Sequence, residues 1–391
     1  MKLFLLPFVL AMALPAADPS IVPGMNAFTV ASYQQLSRRD ANLILSPFNI
    51  ASALSMAWAG ARGATANEIA HVLRQHRDSS YDSAFAALAA DLTKAGNTGG
   101  NQLLTANGLW VQKGFPIEAA FQKTLANDYH APPTPLDFAA NAESARGEIN
   151  RWTEQHTQGR IKDLLAARAL NARTWLVLTS AIYFYGTWQE PFPESRTEAA
   201  PFTLESGAAS RANFMRQTAR FRYAEISSAQ LLEMPYAGTG IAFDVLLPKT
   251  PNGLAALEKS LTPEKLTAWL ANLTRRKVET SIPKFRAESE FSLRQALSQM
   301  GMPDCFTGSA DFSGIGAHGK LAIAEVAHKA LIDVSERGTE AAAATAVTAT
   351  PTAARVEELV VFRADHPFLF LIRDTRSGVI LFIGRLKNPH S

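Results

Sequence analysis

Glu336 to Ala354 reads ERGTEAAAATAVTATPTAA: four consecutive alanines, no aromatic residue and, beyond Gly338, a single charge at Glu340. Alanine favours helix, but Thr, Val and Pro gather beyond Thr345. Taken alone, such a stretch is a low-complexity linker or a short exposed helix. Its parity says more. Thr339, Ala341, Ala343, Thr345, Val347 and Ala349 form one set, all small or β-branched, while Glu340 falls in the other with Ala342, Ala344, Ala346, Thr348 and Thr350. Drawn out as a strand, the segment would put its one charge on one face and could bury the other. Small side chains would let it enter a formed sheet without displacing a packed core. It is a loop whose sequence also permits a central strand.

The flanks supply the sheet. Lys320 to Val334 alternates as a long strand whose even positions, Ala322 to Val334, are apolar except for His328. Its odd positions carry Glu325, Lys329 and Asp333, which predicts a partly wet face. After the loop, strands begin near Val356, and Phe368–Ile372 with Val379–Ile383 form a buried hairpin. Thr174–Phe184 is apolar on both parities, as a strand covered on both faces would be. Leu103–Gln112 reads as a further strand.

The first third is helical instead. Asn26–Arg39 offers Phe28, Tyr33 and Leu36 to one side. Ser46-Pro47 opens a helix with a hydroxyl cap and a first-turn proline, and Gly60 and Gly63 end it beyond Trp58. Thr65–Glu68 has capping-box spacing and predicts the next helix start. Ala95–Asn101 reads as a loop, Pro132–Pro135 as a linker or turn, and Asn141–Gln158 as a helix with Ala145, Ile149 and Trp152 on one face. Helices come early, strands late, and βα alternation is missing, so the fold class is α+β with large sheets.

Lys+Arg 38 against Asp+Glu 35 is too even for a dedicated nucleic-acid binder, and Arg275-Arg276-Lys277, the densest basic run, reads as a solvated face. One cysteine, Cys305, excludes internal disulfides and Cys-cluster metal sites. Gly314–Gly319 matches G-x-G-x-x-G, but the strand that follows it removes the dinucleotide reading. Residues 1–17, with Lys2 ahead of the apolar run Leu3–Leu14 and small residues at Ala13, Ala16 and Ala17, read as a secretory signal peptide. The mature protein is therefore expected to be exported.

With these segments in place the chain resembles the serpin family, from about Ile21 to Pro389. Four motifs in family order carry the resemblance: Ser46–Ile50, Leu178–Phe184 with Gly186 and Trp188, the hinge Glu336–Thr345, and Ala364–Phe370 through Gly384-Arg385 to Asn388-Pro389. The hinge matches the inhibitory type, and the sequence is similar to secreted prokaryotic members. The resemblance implies a single serpin domain over 21–391, with three β-sheets, about nine helices and an exposed reactive loop at about 336–356. It implies an inhibitor rather than an enzyme, monomeric, without cofactor or metal.

In such an inhibitor the loop is bait. A serine protease cleaves it and is acylated, and the cut loop then inserts into the main sheet as an extra strand, carrying the protease with it. About 14 residues at ~3.3 Å each would make roughly 45 Å of new strand. A dozen ladder hydrogen bonds at ~1 kcal/mol net would contribute on the order of 10 kcal/mol. The uncut state would then be metastable, held by kinetics.

The resemblance also assigns positions. The hinge is Glu336, Gly338, Thr339, Glu340, Ala341, Ala342, Ala343 and Ala344. Trp188 and the pair Lys284–Glu336 match the breach, where the loop would enter. Ser46, Asn49, Ser180 and His328 match the shutter, halfway down the sheet. There the family commonly has Ser in place of Asn49 and Asn in place of Ser180, a transposition that could preserve one hydrogen bond. Counting fourteen residues from Gly338 puts the scissile bond at Thr352-Ala353, with Thr350, Ala353 and, less favoured, Arg355 as alternatives for the residue before the cut. The small residues around it suit a shallow pocket, hence an elastase-like protease. Glycosaminoglycan activation is not expected, since Ser79–Lys94 holds one basic residue. A non-inhibitory carrier or chaperone, a cross-class inhibitor of cysteine proteases and, more remotely, a hydrolytic enzyme are the competing readings.

Overall fold

A computed structural model describes residues 21–38, 40–238, 240–316, 321–336 and 358–390. The expected signal peptide, the hinge from Gly338 to Ala344 and the bond Thr352-Ala353 lie outside them.

The first helices are α1 (Val22–Leu36), α2 (Pro47–Gly60), α3 (Gly63–Leu73), α4 (Tyr81–Gly96), α5 (Ala119–Asp128) and α6 (Phe138–His156), with strands β1 (Leu43–Leu45), β2 (Gln102–Gln112) and β3 (Thr134–Leu136) among them. There follow β4 (Leu176–Tyr185), β5 (Glu198–Thr203), β6 (Ala209–Glu225), β7 (Ala229–Pro235) and β8 (Ile241–Pro248). After α7 (Leu254–Ser260) and α8 (Pro263–Ala271) come β9 (Thr274–Pro283), β10 (Phe285–Ser292), α9 (Arg294–Met300) and β11 (Ile323–Val334). The chain ends with β12 (Val360–Arg363), β13 (Phe368–Asp374) and β14 (Ile380–Leu386). Among the described residues this makes nine α-helices.

The α+β reading holds. One sheet runs β10-β11-β4-β2-β3; the other runs β1-β14-β13-β8-β7-β6-β9-β12, with β5 also on β6. The long β6 divides the second into two parts. Its Arg222–Glu225 end pairs with β7, and its Phe214–Tyr223 stretch pairs with β9. Helix α2 sits between the two sheets and is buried at nearly every position. Ser46 caps it as expected, its Oγ accepting from the Asn49 N–H at 3.2 Å.

Several local expectations fail for identifiable reasons. The Thr65–Glu68 capping box does not form: α3 already starts at Gly63, Thr65 Oγ1 accepts instead from the Asp311 N–H at 2.8 Å, and Glu68 accepts from the Asp304 N–H. Tertiary partners took both side chains. Ala95 and Gly96 still belong to α4, so the loop is shorter than read. Thr134-Pro135 lies in β3, an edge strand against β2, where a missing N–H is tolerated. Helix α6 starts at Phe138 on an Asp137 cap, with a kink at Asn141. The odd face of β11 is drier than predicted: Ala327 and Leu331 pack with Ala181 and Tyr183 under Phe138, Ala145 and Ile149 of α6 and under Ile161–Leu170. Lys329 is buried there by pairing with Glu288 and Glu290, each at 3.2 Å.

Candidate functional site

The centre of the five-stranded sheet is unusual in direction. β10 runs antiparallel to β11, and β2 antiparallel to β4, but β11 and β4 are parallel, in register from Ile323/Leu176 to Ile332/Phe184. This seam lies between two strands buried at almost every position. Any segment that followed β11 and doubled back between the two would run antiparallel to both. It would replace one slanted parallel ladder by two antiparallel ones, the more stable arrangement per residue.

At the top of the seam the chain leaves β11 through Ser335 and Glu336. Trp188 Nε1 donates to the Ser335 carbonyl at 2.7 Å, and the Phe192 N–H donates to the Glu336 carbonyl at 3.0 Å. The Glu336 side chain, buried, accepts from Thr197 Oγ1 at 2.8 Å and meets Lys284 Nζ at 2.8 Å. Burial alone would raise this carboxyl, but hydrogen bonds from Lys284, its own N–H and Thr197 outweigh that and hold it below the usual range. The Trp188 ring stacks on Tyr236 at 4.4 Å between centroids, and Gly186 admits the same tyrosine, since a Cβ there would lie 2.3 Å from the ring. The expected breach residues Trp188, Lys284 and Glu336 thus meet around one backbone exit, which sequence reading had not extended to Phe192, Thr197 and Ser335.

Halfway down, register lines up Asn107, Ser180 and His328 across β2, β4 and β11. Helix α2 brings Ser46 and Asn49 onto that row. His328 Nε2 accepts from the Ser46 N–H at 3.0 Å, so the proton sits on Nδ1, which lies 3.0 Å from both the Ser180 carbonyl and its Oγ. Asn49 Nδ2 donates to Ser180 Oγ at 2.9 Å, the one bond the transposed pair could keep. Ser46 Oγ donates to the Leu381 carbonyl at 2.6 Å, tying the row to the other sheet. Burial drives the imidazole down to about 3, so the ring is neutral.

All four expected shutter residues therefore touch. Asn107 was missed: its Nδ2 donates to Asn49 Oδ1 at 2.9 Å. The signal was available as a lone amide amid Leu103–Leu109, but only the β2–β4 register turns it into a neighbour. The row bridges β4 and β11 with the seam closed, and it leaves one buried oxygen, Asn107 Oδ1, without a hydrogen-bond partner among the described residues. Among the described residues no group of three or more His, Cys, Asp or Glu could hold a metal ion.

The family model described as serpin, serine protease inhibitor, matches residues 23–389. A serpin-like protein of Thermococcus kodakarensis is 38% identical, with 95% of this chain and 86% of that protein covered. A leukocyte elastase inhibitor of Xenopus tropicalis is 37% identical, with 93% of this chain and 97% of that one covered. Uncleaved ovalbumin superposes with a TM-score of 0.85 at 29% identity, covering 95% of this chain and all of the other.

Proposed function

The chain belongs to the serpin family, and on that premise we propose that it is a suicide inhibitor of elastase-like serine proteases, acting after export as a monomer with residues 1–17 removed. The observation that carries the reading is the parallel β4–β11 seam, with the chain leaving β11 through Ser335 and Glu336 at its top. The chain contributes a peptide carbonyl at Thr352 and no nucleophile of its own. The protease serine attacks that carbonyl, the bond to the Ala353 nitrogen breaks, and the amine leaves with a proton supplied by the protease histidine. The freed hinge, small at Thr339, Ala341 and Ala343, enters between β4 and β11 before water reaches the ester. Elastase-like selectivity follows from the small residues Ala349–Ala353, whose side chains underfill a deep pocket, and agrees with the named activity of the Xenopus relative.

Incubation with elastase, subtilisin, trypsin and papain, read on denaturing gels, tests this. Elastase is expected to give a denaturant-resistant 1:1 complex and a released 39-residue peptide beginning at Ala353. Clean turnover by every protease, with no complex, would refute the inhibitory reading; a complex with papain alone would assign the protein to cysteine proteases.

A further inference from the structure

The basic run at Arg275-Arg276-Lys277 opens β9 and takes no part in the seam. Antiparallel register sets Lys277 opposite Arg220 and Arg275 opposite Arg222 on β6. Alternate residues share a face, so these four cations crowd one patch, with strands ~5 Å apart and a two-residue repeat of ~7 Å. Like charges directly opposite destabilise a sheet, and here two such pairs stand side by side. All four and Arg276 are exposed. Arg222 is partly compensated, with Nη1 3.3 Å from Glu233 Oε1 and Nη2 donating to the Leu273 carbonyl. Arg275, Arg276 and Lys277 form no ion pair with any other described residue.

The position of the patch selects its partner. β12 begins at Val360 in parallel register with Val278, the residue after Lys277. The chain therefore comes off the reactive loop and into the sheet beside the cluster, with Leu359 and Val361 each 44% exposed at that point. Thr352 is eight residues before Val360, at most about 26 Å of extended chain. A protease of about 230 residues has a radius of gyration of about 17 Å and is roughly 45 Å across. A protease that cuts at Thr352 is therefore within reach of the cluster, with the side that receives the residues after the cut.

Resting on the inhibitory reading, we propose that Arg275 and Lys277 on one face, with Arg276 exposed on the other face at the same strand end, form a docking surface for an acidic patch on that side of the target protease. The residues at the bond, Ala349–Ala353, carry no charge and exert no attraction at a distance. A fixed cationic patch beside the loop supplies that attraction and acts on the association rate. Selection among proteases with equally shallow pockets then comes from their surface charge.

The test compares pancreatic elastase with the same enzyme succinylated on its lysines, which makes its surface anionic. Association rates are measured at about 30 mM and about 300 mM salt. Wild-type protein is expected to trap the succinylated form about tenfold faster at low salt, with the gain lost at high salt. The variant Arg275→Glu, Arg276→Glu, Lys277→Glu should lose that gain while its trapping stoichiometry stays unchanged. It should fold at least as well as wild type, since Glu at 275 and 277 would each face an arginine. Lys113→Glu, Lys123→Glu, Arg173→Glu applies the same charge change at exposed sites elsewhere and should keep the gain. Equal rates for the two triple variants would overturn the proposal. So would a local variant that traps like wild type but no longer binds immobilised heparin, which would assign the patch to a polyanion. Failure of wild-type protein to trap either elastase would instead remove the inhibitory reading, and the docking surface with it.

Discussion

The β13–β14 hairpin and the β4–β11 seam are both largely buried and are closed in different ways. Every residue of β13 and β14 is buried, and β13 has antiparallel neighbours on both sides. Phe368 and Phe370 pack with Phe285 and Phe243. Even the charge there is locked: Arg373 Nε lies 2.7 Å from Asp244, and its guanidinium also reaches Glu233. The seam is parallel, and its middle is closed by a polar row rather than by interlocked rings. A parallel pair can yield to a better-paired strand, and a polar row can be broken residue by residue once partners are offered. Burial alone does not distinguish a permanent strand pair from a provisional one; direction and the chemistry of the closure do.

The largest expected effect follows from filling the seam. On the proposed mechanism, cleavage between Thr345 and Thr352 would free the loop to become a strand between β4 and β11. With on the order of 10 kcal/mol gained and roughly 2–4 °C per kcal/mol for a domain of this class, the melting temperature should rise by about 20 °C or more. Equal melting temperatures for cut and uncut protein would place the seam in the same class as the hairpin.

Acid should weaken the seam's closure and leave the hairpin in place. An unfolded imidazole takes up a proton near 6.5, the buried His328 only at about 3. Stability from this neutral ring is complete above pH 6.5 and lost as the pH falls toward 3, on the order of 5 kcal/mol in all. Asp244 in the hairpin half works in the other direction. Burial lifts its carboxyl to about 6 against Arg373's opposing pull, so the fold gains as the pH falls through the range below 6. The comparison is therefore between wild type and His328→Gln, which share Asp244. The glutamine should flatten the acid loss of melting temperature between pH 7 and pH 4. An unchanged slope would move the acid sensitivity elsewhere.

The smallest effect is expected at the breach. Lys284 is 40% exposed in its pair with Glu336, so Lys284→Ala should cost about 1 kcal/mol or less. Thr197 still holds the carboxylate. A drop in melting temperature of more than about 5 °C would mean that the pair clamps the seam rather than trimming it.

Much of this was legible in the residues. The strands of both regions stand out because long apolar runs bounded by turns leave few alternatives, and Ser46-Pro47 announces its own cap. The parallel direction of the seam was not legible, because alternation carries no sign for strand direction. Ser180 and His328 came from the family resemblance, but Asn107 beside them was not legible, because its place depends on registers between strands far apart in sequence. The capping box at Thr65 failed where Asp311 and Asp304 competed for its side chains. The face of β11 expected to be partly wet is half-exposed at Glu325 and Asp333 but dry between them, because α6 and Ile161–Leu170 cover its middle. In each miss a long-range partner overrode a local pattern.

The central claim is that the seam between β4 and β11 must open for the protein to act. Ile182 and Ala330 face each other across it near the top, both fully buried. Ile182→Cys with Ala330→Cys permits a disulfide across the pair and leaves the native Cys305 buried away from it. Trapping of elastase is then titrated with the same preparation oxidised and reduced. The account predicts that the oxidised protein is cleaved and released as an ordinary substrate and that reduction restores the covalent complex. Equal trapping stoichiometry in the two states would contradict it.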